Sequence, residues 1–365
     1  MFLMKKLAKR RIITLLGVVA ISATLLLAGC IEEDKEKSIK VVTLAPIDMQ
    51  TSLETGDIAG YVAWEPYCSD SVVNQKGKAL YRSEDIWPDH PCCVLVAEKD
   101  YLNSNPEIVK HFLKAHIDAN IWMANALADN TSANYTLLVN IAVDFTLRSE
   151  AVVKEALKHI TFRYEVDTAF LDGLETYTNK LIDFDVIEED KISERGYDNS
   201  EDFVNTYVDE SYLSEAQSIS PPSSSLGTVR VGYLLGDLHQ LAYPVAKNTE
   251  VGGGESLFGK YGITVTDATG APYANGGSEM DHFAAGDVDI GYLGGAPAVL
   301  KHLNAAVNTQ ILAQVNNEGS AIIVANDIDS LDDLKGKKFG IPGFPTVQYF
   351  LLRMIAEAED VKVTT

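Results

Sequence analysis

The side chains best suited to grip a soft metal lie on one short run, "DIWPDHPCCVLVAE", as His90, Cys92 and Cys93. A fourth ligand would have to come from His239 or Cys68. The spacing argues against such a centre. An extended run turns successive side chains to opposite faces, so neighbouring cysteines should point apart. No metal is expected. The thiols read as buried small hydrophobes, or as partners in a bridge from Cys68 to Cys92 or Cys93 in an oxidising compartment. Trp64 and Trp87 offer an aromatic wall nearby. No serine–histidine–aspartate order, phosphate loop, zinc-protease helix or pair of catalytic acids stands out. The expectation is a protein that is not an enzyme and carries no cofactor.

Three glycine-bearing junctions offer a different chemistry. "GYLLGDLHQLAYPVAK" places Gly236, Asp237 and His239 after a strand, "GYLGGAPAVLKHL" places Gly294, Gly295 and Ala296, and "GIPGFPTVQYFLLR" places Gly343 and Thr346. A strand, a tight turn and a helix start present backbone N–H groups and the positive end of a helix dipole. Three such junctions together make a nest for a small ligand, although each alone is an ordinary βα loop. None carries Lys or Arg before Lys247. If Asp237 and Glu65 face the same cleft, they repel a simple anion and attract an ammonium. That favours a ligand with both charges, or a neutral polar one. Helix capping is the commoner use of such an Asp.

The elements that must position these residues alternate. "TVRVGYLL", "YGITVTDA", "DVDIGYLGG", "TQILAQV", "SAIIVAN" and "KKFGIPG" read as strands, with "MDHFAAG", "PAVLKHLNAAV" and "FPTVQYFLLRMIAEAE" as helices between them. The pattern means an α/β fold with a largely parallel sheet. The front of the chain begins likewise, with strand "IKVVTLAP", helix "DMQTSLETG" and strand "IAGYVAWEP", then turns helical. In "NPEIVKHFLKAHIDANIWMANAL", Pro106 opens a helix and Val109, Phe112, Leu113, Ile117, Ile121 and Ala124 form its apolar stripe. "SEAVVKEALKHI", "TAFLDGLETYTNKLI" and "EDFVNTYVDESYL" read as further helices. Asn130 and Asn134 sit in glycosylation-type triplets on what reads as an exposed connection. "MQTSLETGDIAGYVAWEP" and "MDHFAAGDVDIGYLGGAP" echo each other: helix, Gly-Asp, a strand ending in Gly-Tyr, and a Pro five residues on. Two such units suggest two similar lobes, each with a loop at the carboxyl end of a strand, where open α/β sheets hold ligands.

The 365 residues are 46% hydrophobic, enough for a large two-lobed core, and the formal charge of −22 disfavours nucleic-acid partners. The first 29 residues read as a signal peptide: a basic "MKKLAKRR", an apolar stretch, then Leu27-Ala28-Gly29-Cys30. This last tetrad resembles a lipoprotein cleavage box, in which Cys30 takes a lipid and anchors the body at the membrane. Residues 30–38 form an acidic tether, 39–215 one block, 216–227 a Ser/Pro linker ("AQSISPPSSSLG") and 228–365 a second block.

"VRVGYLLGDLHQLAYPVA", "HFAAGDVDIGYLGGAPAVL", "LAQVNNEGSAIIVA" and "DDLKGKKFGIPG" resemble the first half of ABC-importer solute-binding proteins. The type is that of nitrate, sulfonate and taurine, with relatives that bind thiamine-pyrimidine precursors. "APIDMQTSLETGDIAGYVAWEP" and "DIWPDHPCCVLVAEKDYLNSNPEIVKHFLKAH" resemble the second half. The halves stand in reverse order, so the chain is expected to be circularly permuted, with "AEDVKVTT" leading into "SIKVVTLAP" if the ends were joined. A linker of about ten residues reaches roughly 33 Å, ample to close such a fold. The rival is a piece of a tandem array that needs a partner chain. The resemblance implies a periplasmic-binding-protein-like α/β fold of two lobes, crossed by "GSAIIVAND" and "CCVLVAEKD". It implies a cleft lined by Gly236, Asp237, His239, Gly294, Gly295, Ala296, Gly343, Thr346, Trp64, Glu65 and His90. It also implies a small-molecule solute and permease subunits of an ABC importer as partners, met at the outer face of the membrane. Kinship with pyrimidine-synthesising relatives, where histidine and metal matter, keeps an enzymatic alternative open.

Overall fold

In a computed structural model that describes residues 37–365, two sheets carry the molecule. The stretch read as a signal peptide and Cys30 lie outside the described residues. From the front of the chain come β1 (Ser38–Thr43), β2 (Gly60–Trp64) and β3 (Lys78–Arg82). From its rear come β11 (Ser320–Val324), β12 (Lys338–Ile341) and β13 (Lys362–Thr364). These six form one sheet in the order β13-β1-β12-β2-β11-β3. The second sheet joins β4 (Cys93–Glu98) from the front to β6 (Gly227–Gly232), β7 (Ile263–Asp267), β8 (Ile290–Gly294) and β9 (Thr309–Gln314), in the order β7-β6-β8-β4-β9. Each sheet therefore mixes strands from both sides of the linker.

Within these two sheets the pairings are parallel except at β11, antiparallel to β2 and β3, and at β4, antiparallel to β8 and β9. These two strands lie in "GSAIIVAND" and "CCVLVAEKD". The chain passes between sheets just before each, near residues 315–319 and 89–92, so it enters the new sheet from the opposite end. A short pair of β5 (Ile160–Phe162) and β10 (Asn316–Glu318) ties the crossing region together, and Pro91 bridges Asn317 beside it. Burial explains the strand composition: Val94, Leu95, Val96 and Ala97 are all fully buried, as a central strand covered on both faces requires. At Gly60 a Cβ would lie 2.7 Å from the Ile323 carbonyl oxygen, so only glycine lets β2 begin so close to β11.

The two ends of the chain do not line up as one strand. β13 runs beside β1, parallel to it, with Ile39 opposite Val363 and Lys40 opposite Thr364, and β1 itself fills the place next to β12. The segments "IKVVT" and "VKVTT" carry the same alternation, so the second lies beside the first as the edge strand of the sheet. The linker is shorter than its composition suggested: a helix runs over Ser211–Gln217 before the irregular stretch that leads to β6.

Helix α1 (Pro106–Leu127) starts at its proline and buries Val109, Phe112, Leu113 and Ile117, but Ile121 of the expected stripe is 46% exposed. The stretch read as an exposed connection is a helix, α2 (Ala133–Thr146), capped by the Ser132 side chain, with Asn134 in its first turn. "TAFLDGLETYTNKLI" forms α3 (Thr168–Asp183). "EDFVNTYVDESYL" is two helices, not one: the break falls at Val208, which bridges Ile311, and Asp209 N–H donates to the Ile311 carbonyl. Three helices end the site-bearing loops: α4 (Gly276–Ala284), α5 (Gly295–Ala305) and α6 (Val347–Ala358).

Candidate functional site

Between the sheets, the ends of β2, β6 and β8 and the start of α6 converge. Trp64, Cys92, Cys93, Asp237, His239, Gly294, Thr346 and Gln348 are among the residues that enclose a cavity of about 20 Å³. Among the described residues, its lining includes no Lys or Arg. Thus Trp64, Asp237, His239, Gly294 and Thr346, expected at a cleft, do meet at one place.

The loop after β6 is built for its side chains. Gly236 has φ +58°, and a Cβ there would approach the Tyr67 hydroxyl to 3.1 Å. Asp237 then caps a tight turn over Leu238–Gln240, its Oδ1 accepting the His239 N–H at 3.0 Å. Gln240 Nε2 donates to Asp237 Oδ2 at 3.1 Å and to the Tyr292 carbonyl at 2.8 Å, which fixes the carboxylate against β8. The expected helix begins only at Ala242. His239 Nε2 donates to the Gly319 carbonyl at 2.8 Å. Gly319 has φ +83°, and a Cβ on it would collide with His239 Nε2, so a glycine is required for this approach.

His239 Nδ1 therefore faces inward, 3.4 Å from Cys92 Sγ and 3.8 Å from Cys93 Sγ. Both thiols reach the same imidazole because β4 begins at Cys93. Cys92 sits just outside the strand, its carbonyl held by the Gly295 N–H at 2.7 Å, and strand alternation does not govern it. The ligand atoms of Cys92, Cys93 and His239 lie within 4.8 Å of one another, all buried. This differs from the sequence-based expectation that the two sulfurs diverge. Cys68 is a free buried thiol that donates to the Ala63 carbonyl, away from the pair.

The electrostatics follow from burial among mutual neighbours. Burial raises Asp237 to about 6, although His239 beside it opposes the shift. Burial works against a charge on His239, but the Cys92 sulfur and the Asp237 carboxylate outweigh it and hold the ring up to about 9. Hydrogen bonding from Cys93 pulls the Cys92 thiol well down, and burial pushes Cys93 well up. Glu279, packed against Gly232 and Gly291, is pushed well up by burial and by the Asp237 charge.

Other expected residues stand behind the cavity. Gly343 has φ +149° and its carbonyl accepts from Thr346 Oγ1 at 2.7 Å; the same Oγ1 caps α6 by accepting the Tyr349 N–H. Gly295 and Ala296 form the buried first turn of α5. Glu65 does not turn to the cavity. It is fully buried, pairs with Arg82 Nη1 at 3.0 Å, and accepts from the Ser69 N–H and hydroxyl, each at 2.9 Å. The resemblance placed it in the cleft, but Glu65 follows the last residue of β2 and its carboxylate turns to Ser69 and Arg82 instead. His90 is buried against Trp87, Tyr177 and the Pro91 carbonyl. Trp87 packs on Tyr177 and Phe350 rather than forming a wall with Trp64, which meets Tyr67 edge-on. The residues not foreseen are Gln240, Gly319, Glu279 and Gln348. Only the Gly in "NNEGSAI", between two strand-like runs, carried a readable signal.

Residues 21–138 match the family described as NMT1-like, and residues 257–363 match the family described as NMT1/THI5 like. Among curated proteins, the chain is 33% identical over 87 residues to a taurine-binding periplasmic protein of Escherichia coli, covering 23% of this chain and 27% of that one. It is 32% identical over 94 residues to a nitrate import ATP-binding protein of Synechocystis sp., covering 26% and 14%. A bicarbonate transport ATP-binding protein of Synechococcus elongatus is 28% identical over 86 residues, covering 24% and 13%. The matches span less than a third of the length of these relatives.

Proposed function

We propose, from the premise that this chain belongs to the NMT1/THI5-like family, that it is a non-catalytic solute-binding protein of an ABC importer. On this reading it is held at the outer face of the membrane by a lipid on Cys30 and passes a small polar solute to permease subunits. The solute class is that of taurine: an ammonium at one end and a sulfonate or similar acidic group at the other. The observation that carries this is the convergence of Trp64, Asp237, Gly294 and Thr346, from four separate elements, on one cavity between two sheets. Asp237 is the lining carboxylate that faces an ammonium. The N-termini of α5 and α6 supply the positive end for the acidic group. An inorganic anion such as nitrate would meet the Asp237 carboxylate and no lining Lys or Arg.

At about 20 Å³ the cavity holds no more than one water or ion, so the solute enters only when the sheets part. The crossings near residues 89–92 and 315–319 are where such a hinge would act. The reversed order of the halves, with both sheets drawing on both, supports a permuted chain that closes on itself.

The test is a thermal melt of the full chain with taurine, alkanesulfonates, nitrate and bicarbonate. Taurine should raise the transition, because a ligand that binds only the folded state stabilises it. Asp237→Asn should weaken that binding by about tenfold or more, the worth of one charge-assisted hydrogen bond. A response to nitrate alone, unchanged in Asp237→Asn, would overturn the assigned solute class.

A further inference from the structure

We propose that Tyr67 is a clasp across the cleft: a positioning residue that sets how long the two bodies stay closed. On the solute-binding reading above, it thereby sets how slowly a bound solute leaves. Tyr67 opens the helix Tyr67–Val73, which follows β2 of the first sheet. Its hydroxyl donates at 2.8 Å to the carbonyl of Leu235, in the loop that follows β6 of the second sheet. Burial holds this hydroxyl up to about 12, so it stays a donor through the neutral range. Leu235 is 40% exposed, which places the bond at the rim rather than in the core. Asp237 lies in the same loop, and Trp64 meets Tyr67 edge-on with ring centres 6.0 Å apart. The clasp therefore ties together the two segments that bring Trp64 and Asp237 to the cavity.

A third segment holds the ring in place. Arg148 lies over it, the guanidinium carbon 5.1 Å from the ring centre, and pairs through Nε with Asp70 Oδ2 at 2.8 Å. Asp70 stands on the same helix as Tyr67, so one cation secures both the ring and the helix that carries it. Arg148 sits in the link, residues 147–149, between α2 and the helix Glu150–Ala156. α2 packs against α1, which rests on β7 of the second sheet, whereas Glu150–Ala156 packs against Tyr67–Val73. The chain therefore steps from one body to the other at Arg148. Gly236 leaves room for the approach: a Cβ there would come within 3.1 Å of the Tyr67 hydroxyl and 3.6 Å of the Thr146 carbonyl oxygen. Hydrogen bonds also cross from Leu238 N–H to the Glu65 carbonyl at 3.0 Å and from Asn275 Nδ2 to the Pro342 carbonyl at 3.2 Å. The first of these is backbone, and Asn275 also caps α4, so its replacement would disturb a helix. Of the three bonds, that of Tyr67 is the one a single hydroxyl deletion releases by itself.

Hydrogen exchange of the full chain, wild type beside Tyr67→Phe, reads the clasp without any solute. The Leu238 amide is held by a bond across the cleft, while β4 is paired on both sides inside the second sheet. Tyr67→Phe keeps the ring under Arg148 and removes only the hydroxyl. It should speed exchange at Leu238 by about two- to tenfold, the equilibrium effect of one neutral hydrogen bond, and leave β4 unchanged. Arg148→Lys keeps a charge for Asp70 but gives up the flat contact with the ring, and should speed Leu238 in the same direction. Unchanged exchange at Leu238 in Tyr67→Phe overturns the clasp. Equal speeding at Leu238 and β4 also overturns it, because that marks a loss of stability throughout. Dissociation of taurine, followed by stopped flow, should quicken by the same factor in Tyr67→Phe with association little changed. The outcome is separable from the solute reading: faster exchange at Leu238 without any response to taurine sinks only the solute, and a taurine-raised melt with Leu238 unchanged sinks only the clasp.

Discussion

At the scale of single residues, two contacts decide whether the site keeps its shape. Glu65 is fully buried and its charge is met by Arg82, whose side chain is 15% exposed, and by two donors from Ser69. Removing one member of a buried pair leaves an uncompensated charge, so Arg82→Ala should cost about 3–5 kcal/mol, read as a lower urea midpoint. A change under about 1 kcal/mol would mean that water or the Ser69 donors take over the role of Arg82. Gly319 acts by having no side chain. Its φ of +83°, and the collision that a Cβ would make with His239 Nε2, make Gly319→Ala doubly unfavourable. The substitution should lower stability by about 1–3 kcal/mol, and it should move His239, visible as a shifted imidazole resonance by NMR. The glycine of "NNEGSAI" was legible as a break between two strand-like runs, but the Glu65 pairing was not: the resemblance placed Glu65 in the cleft, whereas it follows the end of β2 and meets Arg82, a partner 17 residues away.

At the scale of elements, α1 shows how a helix sets a pH limit. His116 lies on its buried face, between Asn120 at i+4 and the Tyr292 hydroxyl. Burial lowers it to about 4 from an ordinary 6.5. The folded chain thus resists protonating a ring that the unfolded chain protonates readily. The resulting stability is intact above pH 6.5 and is lost as pH falls from 6.5 toward 4, by about 3 kcal/mol at the acid end. His116→Gln should flatten the stability profile in that window, measured by urea denaturation at about pH 7, 5.5 and 4; an unchanged slope would show that other groups carry it. The helical periodicity of α1 was readable from Pro106 onward, and the strands before each glycine junction were readable from their β-branched runs. What was not readable came from tertiary context. The glycosylation-type triplets at Asn130 and Asn134 suggested an exposed connection, yet Asn134 opens a helix over Ala133–Thr146 that buries Leu138, Val139 and Ala142. Cys92 and Cys93 were expected to diverge, because only the structure shows that the strand starts between them.

At the scale of the whole molecule, the consequence of shared sheets can be tested by cutting the chain. β4 from the front lies between β8 and β9 from the rear, and β11 from the rear lies between β2 and β3 from the front. Neither half has a complete sheet without the other, and the apolar faces of β2, β4 and β8 would be exposed in isolation. The irregular residues after Gln217 are mostly exposed and separate the halves, so a protease site introduced at Ser223–Ser224 should be cleaved in the folded state. The nicked protein should elute as one particle under native conditions and melt in a single cooperative transition, at a temperature below that of the intact chain because the fragments are no longer tethered. Each fragment expressed alone should fail to give a cooperative transition, and mixing the two should restore it. β13 gives the complementary case. It adds three residues to the outside of β1, so removing Lys362–Thr365 should change stability by no more than about 1 kcal/mol, whereas removing Ser38–Thr43 empties a place between two strands and should abolish folding. If the nicked halves separated, or if either folded alone, each sheet would have to be completed by another chain, and the tandem-array alternative would replace the closed, permuted one.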